Sequence, residues 1–509
     1  MQSSSCLVAA AIFAVAALAA PSQDAPAAGA DSRPSAAPLA DQIDAVFKDW
    51  AAADAPGAAV GLYRGGKLVY AKGYGAASLE HAAPITTATV FDLASTSKQF
   101  TAACILLLMQ DGKLGLDDPL RRHLPELPAW ADTTTIRHCL FHTSGIRDYL
   151  ALLAFAGVRS QDWTDDADAL RAITRQKAVS FLPGTRHDYS NSGYFLLSQV
   201  VRAVSGKTLA EFAAERIFRP LGMTSTRFVD DCTAVVPRRA ASYEPRKKSF
   251  AIAASDWQQT GDGGVLTTVE DLAHWVRNFS DGKVGGPAFL ALMNTRGALD
   301  DGRPIEYGYG LMHHDRNSVR GVSHSGGWAG FRAELFRLPD DDLAVAVLSN
   351  RADADPTTRA QKVLKIARDT GLGSARSDPA TRPDAGAASR AGASDAASRP
   401  TKSLDSKAAG SPTAAKLDAL PLSAYAGLWR AEELDALWTV TAGKRGLSIA
   451  CRGLPPLDAM ASGQDEFLAS MSVKLTFRRG PDGRPSSFVV SSRGVDGIVF
   501  ERLAGDGAK

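Results

Sequence analysis

Two hydrophobic periods divide this chain. Ile43, Val46, Phe47 and Trp50 recur three and four residues apart and mark one face of an N-terminal helix. "AAVGLYRGGKLVYAKGYG" follows, two strand-like runs joined by Gly65-Gly66, and predicts a hairpin. From about residue 95 to 290 the pattern is mostly helical, punctuated by Gly and Pro loops. Strands return in "GFRAELFRLPDDDLAVAVLSN", where Pro-Asp-Asp-Asp makes the turn, and "DPTTRAQKVLKIARDTG" reads as a closing helix. Strand hairpins at both ends of a helical middle predict an α/β fold. One antiparallel sheet is built from both ends of the domain and flanked by the N- and C-terminal helices, and the middle forms an all-helical subdomain.

The period disappears at residues 371–415. That Ala/Ser/Gly/Pro/Asp/Arg-rich stretch cannot bury enough apolar surface to offset its ordering entropy, so it reads as a flexible linker. Alternation then resumes: Val473, Leu475 and Phe477 interleave with Lys474, Thr476 and Arg478. Residues 416–505 are predicted as a small all-β, barrel-like domain. With 509 residues the chain is longer than one core normally holds, which fits a main domain over 38–370 and this separate tail.

Residues 1–30 read as an export signal, with the apolar run "CLVAAAIFAVAALAA" and small-residue cleavage sites at Ala17–Ala19 and Ala28–Ala30. "MQSSSC" carries no Lys or Arg, unlike a usual signal start. The expectation is a periplasmic or secreted protein. Lys+Arg 57 against Asp+Glu 55 leaves a net charge of +2, which gives no electrostatic case for nucleic acid. Cys104, Cys139, Cys232 and Cys451 are scattered without a C-x-x-C pair and read as small buried residues. His138 and His142 have zinc-helix spacing, but Cys139 stands where a metalloprotease has its Glu, so they read as structural. No metal set and no phosphate-binding glycine loop is found, and no cofactor is expected.

Candidate chemistry begins at "FDLASTSKQF". Ser95 and Lys98, three apart, share a helix face, and a serine hydroxyl needs a nearby base to become a nucleophile. The bland alternative is an exposed Ser and Lys on a helix whose other face holds Ile105, Leu106 and Met109. Two more segments shift the balance: Tyr189-Ser190-Asn191 ahead of an apolar helical run, and His324-Ser325-Gly326-Gly327 ahead of a strand. Alone, each is an ordinary helix cap or glycine turn.

In this order, S-x-x-K, Y-x-N and H-x-G resemble the penicillin-recognising serine hydrolases, on the class C β-lactamase, DD-peptidase and esterase branch. "TIRHCLFHTSGIRDY", "IFRPLGMTSTRF" and "GDGGVLTTVEDLAHW" are similar to flanking phrases of that group, and the tail is similar to the barrels of D-aminopeptidase-like members. The resemblance implies a β-lactamase/transpeptidase-like fold and an acyl-enzyme on Ser95. It implies Lys98 as the amine of the proton network and Tyr189 as general base, later acid to the leaving group. Asn191 would bind Lys98 and the substrate amide, and the N–H groups of Ser95 and Gly327 would form the oxyanion hole. His324, Ser325, Gly326 and Gly327 would line the substrate site, with Trp328 and Tyr149 as walls. A tyrosine base needs about 4 kcal/mol of help, which one cation at about 4 Å supplies at an effective dielectric of about 20. Either Lys98 or Tyr189 therefore stays open as the base.

His324 stands where many relatives have Lys, and a histidine is mostly uncharged at neutral pH. That favours neutral esters, amides or peptides with a free D-amino terminus over β-lactams and over peptides ending in a carboxylate. The expected function is an exported serine hydrolase of esters or amides. The alternatives are a D-amino-acid-specific aminopeptidase or DD-carboxypeptidase on cell-wall-like peptides, a weak β-lactamase, and a non-catalytic penicilloyl or peptide sensor. Oligomeric state and the role of the tail stay open.

Overall fold

Helix α1 (Leu39–Phe47) buries Ile43 and Phe47, and Trp50 is buried in the 3-10 turn that follows. The computed structural model describes residues 38–316, 319–373 and 419–503. The expected export signal (1–30) and all but the first residues of the expected linker (371–415) lie outside them. The predicted hairpin is β1 (Ala58–Arg64) and β2 (Lys67–Tyr74). Helices α2 (Lys98–Gln110), α3 (Tyr149–Phe155) and α4 (Asn191–Ser205) are the middle elements that matter for the site. Strands β3 (Tyr307–Gly308), β4 (Leu311–Arg316), β5 (Val319–Trp328), β6 (Phe331–Leu338) and β7 (Leu343–Ser349) lead to α5 (Pro356–Asp369).

These seven strands form one sheet in the order β3-β4-β5-β6-β7-β1-β2. The chain ends meet in it: β1 pairs antiparallel with β7, placing Val60 opposite Val347. Alternation explains why β7 is buried throughout. Val345 and Val347 pack under α1 and α5, whereas Ala344, Ala346 and Leu348 face the helical region. That region also carries short strands, including Phe91–Asp92, Arg227–Phe228 and Val265–Thr267, which pair in a small sheet. Runs of two or three residues are too short for alternation to be read from sequence.

Helix α2 is buried all round, from Lys98 through Leu108. Its segment "FTAACILLL" is apolar on every face, the mark of a core helix rather than an amphipathic one.

After residue 419, eight strands from Gly427–Ala431 to Val495–Arg502 close into a barrel around Trp429, Phe477, Phe488 and Phe500. Its surface docks on α3. Leu152 joins the barrel's apolar cluster, and the Trp438 indole N–H donates to the Phe155 carbonyl at 2.8 Å.

Candidate active site

Within Phe91–Phe100 every residue is buried except Ser95. The turn that lifts it out is constrained. Ala94 adopts a left-handed backbone (φ +47°), and its N–H donates to the Asp92 carboxylate at 2.7 Å. Strand β5 presses on this turn: Thr96 Oγ1 donates to the His324 carbonyl at 3.0 Å. A Cβ at Gly326 would stand 2.0 Å from the Leu93 carbonyl oxygen, so only glycine lets the two segments meet.

Lys98 opens α2 with its side chain fully buried, which rules out the exposed Ser–Lys alternative. Its Nζ donates to Ser95 Oγ at 3.1 Å, to Asn191 Oδ1 at 2.8 Å and to the Asp262 carbonyl at 2.6 Å. Its N–H bonds have three acceptors, so the buried nitrogen is satisfied. The Tyr189 and Tyr194 rings lie 5.0 and 5.6 Å away.

Asn191 is aimed by Asp148. One carboxylate oxygen of Asp148 accepts from Leu150 N and Ala151 N at the start of α3. The other accepts from Asn191 N at 2.7 Å and Asn191 Nδ2 at 2.8 Å at the start of α4. One side chain thus caps two helices, and by holding Asn191 Nδ2 it turns Oδ1 toward Lys98. Ser190, the apparent N-cap of α4, makes no side-chain cap. The barrel holds this corner: Asp148 N donates to the Gly494 carbonyl at 2.8 Å. The neighbouring Arg147 bonds the Asp496 carbonyl at 2.7 Å and pairs with Glu433 at 2.8 Å.

His324 is buried and held neutral. Its Nδ1 lies 2.6 Å from the Ser325 carbonyl, which can only accept, so the proton sits on Nδ1 and Nε2 accepts from Tyr307 OH at 3.0 Å. Burial, helped by the charge of Lys98, pushes its pKa down to about 3.

Ser95 and Gly327 lie where two cavities meet. The first, about 370 Å³, is lined by Asn191, Tyr149, Trp328, Trp257 and Asp262. The indoles of Trp257 and Trp328 are 5.5 Å apart. Tyr149 OH donates to Asp262 Oδ2 at 3.2 Å, whereas Asp262 Oδ1 is buried with no hydrogen-bond partner. Burial raises the Asp262 carboxyl to about 6 against the pull of Lys98. The second cavity, about 520 Å³, is lined by Tyr189, Tyr307, His324, Ser325, Gly326 and, from the barrel, Arg493. Tyr189 OH has no hydrogen-bond partner among the described residues.

Ser95, Lys98, Tyr189, Asn191, His324, Ser325, Gly326, Gly327, Trp328 and Tyr149 therefore surround one cleft. Asp148, Asp262, Trp257 and Arg493 were not singled out by sequence. Asp148 and Asp262 do lie inside the quoted phrases, where an acidic residue among apolar residues or glycines was the available signal. His138 pairs with Asp300 and caps a short helix, while the His142 ring packs against Tyr189 with centroids 4.1 Å apart and planes tilted by 34°. Among the described residues no group of His, Cys, Asp and Glu is placed to hold a metal. Cys104 and Cys139 are buried, but Cys232 and Cys451 are only partly so. Cys232 lies in an exposed loop and Cys451 ends a barrel strand against Phe155.

A fold with these features is of the beta-lactamase type. The family described as Beta-lactamase matches residues 43–368, and the chain belongs to that family. It is 28% identical over 307 residues to a D-aminopeptidase of Gluconobacter oxydans, covering 60% of this chain and 58% of the relative. A penicillin-binding protein of Bacillus subtilis is 31% identical over 327 residues, with 60% and 69% covered. The match thus spans about three fifths of the D-aminopeptidase's own length. Among solved structures, the octameric penicillin-binding protein homologue from Pyrococcus abyssi has a TM-score of 0.57 at 21% identity and covers 91% of this chain and 99% of its own. The D-amino acid amidase from Ochrobactrum anthropi SV3 has a TM-score of 0.56 at 24% identity, covering 65% and 99%. These likenesses show the fold: a mixed α/β domain with an antiparallel sheet. The closed eight-stranded barrel follows it in this chain. The chain thus has the beta-lactamase fold and is related in sequence to D-aminopeptidases.

Proposed function

We propose that this protein transfers the acyl group of an amide or ester first to Ser95 and then to water. The observation that carries this is the contact set of Lys98. Asn191 Oδ1 and the Asp262 carbonyl can only accept, so they occupy two N–H bonds of Lys98 whatever its charge. When Lys98 has given up the proton it otherwise directs at Ser95 Oγ, 3.1 Å away, its lone pair faces that oxygen instead. Lys98 then takes the hydroxyl proton as Oγ attacks the carbonyl carbon. The N–H groups of Ser95 and Gly327 receive the developing oxyanion, each donor contributing about 10²–10³ in rate. Tyr189, across the cleft, protonates the leaving group, and a water then hydrolyses the acyl-serine by the reverse proton route.

Within that chemistry the favoured substrates are amides and short peptides with a free N-terminal D-residue. The D-aminopeptidase relatives support this reading. So does Asp262, a carboxylate on the wall of the Asn191 cavity with one oxygen unpartnered, suited to an ammonium group. Export to the periplasm or beyond belongs to the same reading and rests on the apolar run Cys6–Ala20.

The test is covalent labelling with a fluorophosphonate beside hydrolysis of D- and L-alanine p-nitroanilide. Wild type is expected to label and to prefer the D-anilide, and Ser95→Ala to do neither. Labelling that survives in Ser95→Ala sinks the assignment of the nucleophile.

A further inference from the structure

The barrel's last two strands, Pro485–Ser492 and Val495–Arg502, are joined by the turn Arg493-Gly494. This turn is seated on the catalytic domain rather than hanging free. The Gly494 carbonyl accepts from Asp148 N at 2.8 Å. Just beyond it, Asp496 N donates to Ser180 Oγ at 3.2 Å and the Asp496 carbonyl accepts from Arg147 Nε at 2.7 Å. Gly494 has φ +74°, and a Cβ there would stand 3.0 Å from the Tyr189 carbonyl oxygen and 3.2 Å from Asp148 Cβ. The left-handed backbone favours glycine there, and the tight approach adds to it. The turn is thus fixed against the backbone of the residue that serves the leaving group.

Arg493 is carried into the second cavity by this seating. Its side chain is exposed, and among the described residues its guanidinium has no ion pair and no hydrogen bond. Its charge is felt on the same wall: burial holds the His187 imidazole below its ordinary value and Arg493 adds to that. His324, also on this wall, is neutral and already bonded to Tyr307 and Ser325. Glu306 is also on the wall, but it forms no ion pair with Arg493.

Tyr189 lines this cavity and Asn191 lines the other. If Tyr189 protonates the leaving group, the departing part of the substrate lies beside Arg493. We infer that Arg493 is a specificity-determining residue that receives a carboxylate on the leaving-group side, so that short peptides with a free C-terminus are preferred over their amides. A planar guanidinium matches a carboxylate through two parallel N–H bonds, which gives direction as well as charge. The cation that strand β5 lacks at His324 is supplied by the barrel. This inference rests on the acyl-transfer reading of Ser95.

The experiment uses a minimal pair, D-alanylglycine and D-alanylglycinamide, which differ only in the charge of the leaving group's end. Wild type is expected to favour D-alanylglycine by about tenfold in kcat/KM, mostly through KM. Arg493→Gln is expected to bring the ratio near one, Arg493→Glu to reverse it, and Arg493→Lys to keep part of it. A structural turn without substrate contact would lower both substrates together and keep the wild-type ratio, which would overturn the inference. A wild type with no preference between the two would overturn it as well. If wild type cleaves neither peptide nor D-alaninamide, the reading of Ser95 has failed, and the inference fails with it.

Discussion

The two sides of Ser95 are built on opposite plans. On the Asn191 side, polar groups from four distant segments hold one another: Lys98 has three acceptors, Asp148 has four donors, and Tyr149 is tied to one oxygen of Asp262, whose other oxygen is left open. On the Tyr189 side the phenol has no hydrogen-bond partner among the described residues, and the accessible cation sits on a turn of another domain. The locked side fixes the reacting atoms, because a nucleophile and its base gain from being held in one geometry before the substrate arrives. The open side has room to decide what is allowed to leave. Changes to the Lys98, Asn191 and Asp148 set should therefore cost catalysis, and changes on the second side should redistribute it among substrates.

The sharpest break is Lys98→Ala. Losing a positioned base costs about 10²–10⁴-fold in kcat, read with D-alanine p-nitroanilide. A loss under tenfold would move the role of base to Tyr189. The Asn191 and Asp262 oxygens lose their donor at the same time, so a thermal melt should accompany the kinetics. An unpaired buried acceptor costs about 1–3 kcal/mol.

Asp262→Asn separates binding from stability on the same side. The carboxyl is raised by burial from 3.8 to about 6. A raised acid is favoured protonated in the fold, so stability falls as pH rises from about 4 to about 6 and stays lower above that. The ionised carboxylate thus costs the fold roughly 3 kcal/mol near neutrality. Asn should raise the melting temperature at pH 8 and flatten its pH dependence between 4 and 6. It should also cost about 10–100-fold in kcat/KM for D-alanine p-nitroanilide, the worth of one charge-assisted contact at about 1.5–3 kcal/mol, and less for the N-acetylated anilide. In wild type the preference for the free amine should fade as pH drops through about 6. Equal losses on both anilides would remove Asp262 from the ammonium site.

What the sequence made legible follows the same division. The sheet, its two covering helices and the barrel could be read because alternation and helical spacing run long enough in each. Ser95, Lys98, Tyr189, Asn191 and His324 could be read because their spacing resembles a known set. Asp148 could not, since its job depends on two helix starts and a barrel carbonyl meeting at one point. Arg493 lies nearly 400 residues from Ser95 in a turn whose composition signals only a turn. The burial of Lys98 was available in principle: an all-round apolar α2 leaves no exposed face for it.

The smallest expected effect falls on the open side, at His324. Its imidazole is neutral down to about pH 3, so the activity profile between pH 4 and 8 should carry no step from it. His324→Lys would place an ammonium between Tyr307 OH and the Ser325 carbonyl, both able to accept. That second cation stands near Lys98, whose charge already disfavours a proton on His324, so repulsion offsets much of the gain. The ratio of D-alanylglycine to D-alanylglycinamide hydrolysis should therefore rise only by about two- to fivefold, roughly 0.4–1 kcal/mol. With Arg493→Gln in the background the rise should be larger, because the new ammonium would then be the cation the carboxylate meets. A ratio unmoved in both backgrounds would mean the leaving group's carboxylate does not reach β5.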